Sequence, residues 1–67
     1  MPKRYSSDEL IRLITKEGWL LVSIRGSHHK FRHPHKTGIV VVPHPNSIVA
    51  IGTAAKILKQ AGCIKKQ

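Results

Sequence analysis

Residues 28–33, His-His-Lys-Phe-Arg-His, carry a single large apolar side chain. In an extended chain successive side chains point to opposite faces, so His28, Lys30 and Arg32 share one face and His29, Phe31 and His33 the other. Only the Phe31 face can meet a core. A sheet that includes this strand is therefore covered on one side and open on the other, with His28, Lys30 and Arg32 directed together toward solvent.

The flanking stretches supply the rest of such a sheet and its cover. Residues 19–24, WLLVSI, are aromatic and branched and are stopped by Gly26, as a strand would be. Pro34 to Gly38 reads as a turn, and GIVVVP as a third strand, apolar on both sides in its middle and ended by Pro43. Ahead of these, Ser6 and Glu9 form an S-x-x-E capping box, and Asp8 lies in the same first turn. Leu10, Leu13 and Ile14 follow at helical spacing with Arg12 and Lys16 on the polar side, and Gly18 is placed to end the helix, about residues 7–17. After the third strand, HPNS forms a loop before a second helix from Gly52 or Thr53 to Ala61, closed by Gly62. Its apolar face comprises Ile51, Ala54, Ala55, Ile57, Leu58 and Ala61, its wet face Lys56, Lys59 and Gln60. The order predicts an α+β fold, αβββα, with a three-stranded antiparallel sheet and two helices on one face. No repeat or linker is visible; residues 1–67 read as one domain, and only the KKQ tail is expected to fray.

A chain of 67 residues has room for a thin core only, burying about 60% of the surface that its unfolded form exposes. The single cysteine, Cys63, precludes a disulfide framework within one chain and reads as a small buried hydrophobe. The first residues lack the apolar run of a signal peptide, and WLLV and IVVV are far short of the ~20 residues that span a bilayer. A cytoplasmic protein without a membrane segment is expected. Twelve Lys and Arg against three acids give a formal charge of +9, a field that attracts polyanions, nucleic acid first.

The acids, Asp8, Glu9 and Glu17, all lie in the first helix, so neither a two-metal nuclease nor a paired-carboxylate hydrolase can be assembled. No metal or other cofactor is expected. Acid–base work near neutral pH falls to histidine. RNA can be cut this way because its 2′-hydroxyl is itself a nucleophile, a group that DNA lacks. DNA is accordingly not expected as a partner of this chain alone. His28 between Lys30 and Arg32 has the needed composition, one titrating group and two fixed charges. Arg25, Gly26 and Ser27 stand beside it as phosphate contacts, although Gly26 also suits a turn at positive φ and Ser27 a turn hydrogen bond.

His44 is a candidate second acid or base, against a plainer place with its ring on Pro43 or Pro45. His29 reads as a packed or edge histidine, His33 and His35 as solvent-exposed, and Trp19 as core in preference to a base-stacking platform. A metal site from these histidines comes down to at most a weak two-histidine one, since His29 and His33 lie about 13 Å apart along a strand. The main rival to catalysis is a non-catalytic RNA-binding module, which accounts for the charge but not for an outward histidine set between cations.

GW at 18 and 19, RGSHHKF at 25–31, RHP at 32–34, VPHP at 42–45 and IGTAAKILKQAG at 51–62 together resemble the HicA toxins of HicA/HicB toxin–antitoxin systems. The resemblance covers nearly the whole chain, with Ala54 standing where leucine is common in the family. It implies a fold similar to the double-stranded RNA-binding domain, mRNA interferase activity on single-stranded RNA, and a HicB-type antitoxin that covers His28. It also places the family's catalytic histidine, that of G-S-H, at His28.

Overall fold

The computed structural model describes residues 4–63; the KKQ tail lies outside them. Helix α1 (Ser7–Lys16) is followed by strands β1 (Leu20–Arg25), β2 (His28–Arg32) and β3 (Val40–Pro43) and by helix α2 (Ile51–Ala61). The strands form one antiparallel sheet in the order β1-β2-β3. The αβββα arrangement is the expected one, and the strand with a single apolar side chain is the central one.

The capping box of α1 and the glycine stop of α2 act as their residues dictate. Ser6 Oγ accepts from the Glu9 N–H at 3.2 Å, and Glu9 Oε1 accepts from the Ser6 N–H at 3.1 Å. The helix stops at Lys16, one residue short of the expected end, with Glu17 as its C-cap. At the other end of the chain α2 starts at Ile51, ahead of the expected Gly52 or Thr53. It closes on Gly62 at φ 81°, where the Gly62 and Cys63 amides reach the Lys59 and Leu58 carbonyls at 3.2 and 2.9 Å.

The two helices pack on each other and on β3. Leu10 and Ile14 from α1, Ala54, Ile57, Leu58 and Ala61 from α2, and Phe31, Val40 and Val42 from the sheet form the core with Trp19 and Val49. Three positions depart from the expected apolar faces. Leu13 lies at the margin of α1, and Ile51 and Ala55 are exposed, because α2 meets the sheet only through the narrow stripe of Ala54, Ile57, Leu58 and Ala61. In place of Leu13, α1 buries Ser7.

Trp19 precedes β1 and does not belong to it. Its indole is fully buried, as expected of a core residue, and its Nε1–H donates to the Ala61 carbonyl at 3.0 Å, joining the end of α1 to the end of α2. On the far side, β1 runs beyond the cover of the helices: Leu20, Leu21, Val22 and Ile24 are all about half exposed. No helix among the described residues is long and apolar enough to cross a membrane.

Phe31 is the sole core side chain of β2, so Phe31→Ala opens a cavity in a core with little to spare. The expected loss is about 3–5 kcal/mol, enough to unfold most of a domain this small. Urea denaturation followed by circular dichroism checks it, with Ile24→Ala, on the uncovered edge, as the mild control.

Candidate functional site

The polar face of the sheet is assembled by strand register. Cross-strand partners share a face, and His28 lies between Arg25 of β1 and Pro43 of β3, while Lys30 lies between Ser23 and Val41. Arg25 reaches this face only because β1 is irregular. Leu21 pairs with Phe31 on the helix side, yet the next pair is Ser23 with Lys30, so Val22 is an extra residue. In a regular strand Leu21, Ser23 and Arg25 would share a side, and Arg25 would turn toward the helices. The bulge at Val22 shifts the parity and brings Arg25 out beside His28.

The resulting face carries Arg25, His28, Lys30 and Arg32, with Leu20, Ser23, Val41 and Pro43 around them. His28 and Arg32 are exposed and Lys30 half-buried. The side chains of His28 and Lys30 emerge about 7 Å apart along the strand, and that of Arg25 about 5 Å across it. That spacing suits one phosphate held between fixed charges and a titrating ring. No carboxylate belongs to any strand; the acids stay in α1 and its C-cap, and Lys36, from the turn after β2, lies 3.7 Å from the Glu17 carboxylate.

His28 opens β2 directly after a tight turn. Gly26 adopts φ +56° with open space where a Cβ would stand, so its glycine serves the backbone conformation. The Ser27 carbonyl accepts from the His44 N–H at 2.7 Å, which ties the turn to the loop after β3.

The His44 ring is engaged by the start of α1. Its Nδ1 lies 2.6 Å from Ser7 Oγ and 3.7 Å from the exposed Asp8 carboxylate. It also packs edge-on to His29, with centroids 4.8 Å apart and planes at 80°. Ser7 Oγ also accepts from the Asn46 N–H at 2.9 Å. His29 sits on the Phe31 face, as its parity requires, and its Nδ1 is buried without a hydrogen-bond partner. The structure therefore groups His44 with His29 and Ser7, on the helix side of the sheet, while His28 emerges on the other.

His33 is not the freely exposed residue that its place at a strand end suggests. Its Nδ1 accepts from the His35 N–H at 2.9 Å, which fixes the proton on Nε2, donated to the Glu17 carbonyl at 2.9 Å. The ring also meets the Trp19 indole edge-on at 5.4 Å. A Cβ at residue 18 would fall 2.7 Å from that Nε2, and the φ of +105° there excludes a side chain independently. The GW pair thus leaves room for a histidine clamp over the end of α1. His35 is exposed, as expected. Among the described residues no group of three His, Cys, Asp or Glu is placed to hold a metal ion. Burial pushes the Cys63 thiol up, and Glu17 adds to this while Lys36 opposes it, so the thiol stays protonated at neutral pH.

A small basic α+β protein that frames one exposed histidine with cations on an open sheet is the class that these observations define. The family model described as the HicA toxin of bacterial toxin–antitoxin systems matches residues 7–63, which takes in every helix and strand. The chain belongs to the HicA toxin family. No curated protein matches it.

Two histidine substitutions separate the open face from the clamp. His28→Ala removes an exposed ring, and stability is expected to change by less than about 0.5 kcal/mol. His33→Ala leaves the Glu17 carbonyl and one edge of Trp19 without their partner, and a loss of about 1–3 kcal/mol is expected. Thermal melts of the two variants beside the unaltered protein check the contrast.

Proposed function

We propose that this protein is an endoribonuclease that cuts single-stranded mRNA without a metal, with His28 as its catalytic base. The reading rests on one observation: register and bulge gather Arg25, His28, Lys30 and Arg32 on a sheet face that has no carboxylate of its own. His28 takes the proton of the ribose 2′-hydroxyl. The O2′–P bond forms as the P–O5′ bond breaks, and the imidazolium so produced is the acid at hand for the departing 5′ oxygen. Arg25, Lys30 and Arg32 offset the charge that builds on the phosphorane, and the amides and hydroxyl of Gly26 and Ser27 lie next to the same phosphate. Products end in a 2′,3′-cyclic phosphate and a 5′-hydroxyl. Val41 and Pro43 offer apolar contact to the neighbouring bases.

Membership of a toxin–antitoxin family implies a protein partner. We assign this role to a HicB-type antitoxin whose acidic surface covers His28, since the +9 charge favours such a partner and exclusion of RNA from one face suffices to silence the enzyme.

The test is incubation of the purified protein and its His28→Ala variant with a single-stranded RNA in EDTA, followed by mapping of product ends. Cleavage by the unaltered protein, a loss of roughly 10²–10⁴-fold in the variant and cyclic phosphate ends support the reading. Ends bearing a 3′-hydroxyl and a 5′-phosphate would refute the 2′-hydroxyl route, and equal binding without cleavage by either protein would show a binding module. RNA affinity of His28→Ala is expected to fall with log salt with a slope of about −0.7 per neutralised phosphate; filter binding across a salt series measures it, and a flat response contradicts the electrostatic account.

A further inference from the structure

Among the described residues Ser7 is the one polar side chain withdrawn from solvent, at 2% exposure. A buried hydroxyl is ordinarily found with its hydrogen bonds made, and those of the Ser7 hydroxyl and N–H go to one loop. The Ser7 N–H donates to the Asn46 carbonyl at 2.8 Å. Asn46 returns its own N–H to Ser7 Oγ at 2.9 Å, and the hydroxyl holds His44 Nδ1 at 2.6 Å. His29 braces the same ring from the side.

The loop held in this way is the one that holds the turn before His28. The His44 N–H donates to the Ser27 carbonyl at 2.7 Å, and Pro43 is the register partner of His28. Side-chain packing does little to fix the turn: residues 25–28 are all exposed, and Gly26 has no heavy atom beside its absent Cβ position. Strand pairing with Arg25 and Pro43 sets the backbone of His28, and the hydrogen-bonded path from the buried start of α1 adds a tie to the turn before it.

We propose that Ser7 is a positioning residue for His28, acting through the His44 ring and the His44 N–H to Ser27 bond. The inference rests on the reading of His28 as the catalytic base. It gives His44 a supporting role and leaves the acid and base steps to His28. Removing the hydroxyl would loosen the loop without releasing it, because the Ser7 N–H to Asn46 bond and the bridge between Tyr5 and Val49 do not use it. Misplacement of a reacting group by about 1 Å costs on the order of 10²-fold in rate, so a loosened loop is enough to register in turnover.

The experiment compares the full-length protein with Ser7→Ala, His44→Phe and the double variant, on one RNA in EDTA, with folding verified by circular dichroism. The expected result is a fall in kcat of about 10- to 100-fold in each single variant, with KM within twofold, since the basic face is untouched. The double variant should be no worse than the worse single one, because both substitutions cut the same path. Ser7→Thr, which restores the hydroxyl, should recover part of the rate, and the pH profile of kcat/KM should keep one and the same limb, that of His28, in every variant. Turnover by Ser7→Ala equal to that of the unaltered protein overturns the inference, as does an effect confined to KM. A second limb in the profile of the unaltered protein that His44→Phe alone removes makes His44 an acid or base in its own right and overturns it too. Should the unaltered protein not cleave RNA, the reading of His28 falls first and this inference with it.

Discussion

The Trp19 indole is the point at which the layers of this small protein are joined. It is fully buried, and its N–H is spent on the last carbonyl of α2. His33, from beyond β2, closes over its edge while holding the cap of α1. One side chain thus connects the ends of both helices to the sheet. Few other large side chains are available for this, since Phe31 is the only other aromatic in the core. Two hydrogen bonds with fixed donors also give the junction a direction that apolar contact alone would not. The absent side chain at residue 18 belongs to the same arrangement, for the histidine ring occupies its place.

Much of the architecture is legible in local patterns because local physics decides it. The capping box at Ser6 and Glu9, the lone Phe31 in an alternating strand and the glycine at 62 each have one economical interpretation, and the structure follows them. The features that escaped are non-local. Nothing in WLLVSI marks Val22 as the extra residue, because register is settled by the facing strand. The partners of His44 and His33 lie 37 and 16 residues away, beyond any spacing argument. Ile51 and Ala55 continue the helical period of α2 but fall outside its contact, since α2 meets the sheet through β3. His28, Lys30 and Arg32 were legible as a group, whereas the reason for Arg25 to join them was not.

Charge is sorted as strictly as hydrophobicity. The acids are confined to α1 and its cap, where Asp8 and Glu9 favour the helix start and Glu17 meets Lys36. The sheet is left with cations alone. A polyanion approaching the face on which His28 stands therefore meets no carboxylate from the sheet.

The bulge at Val22 carries a consequence at the level of the gene. The strand on either side of it is held to β2 by ordinary pairing, so loss of that single codon would leave a strand of regular pleat in which Leu21 still faces Phe31 and Arg25 still faces His28. The gene can therefore shed this residue without carrying any member of the basic face to the other side of the sheet.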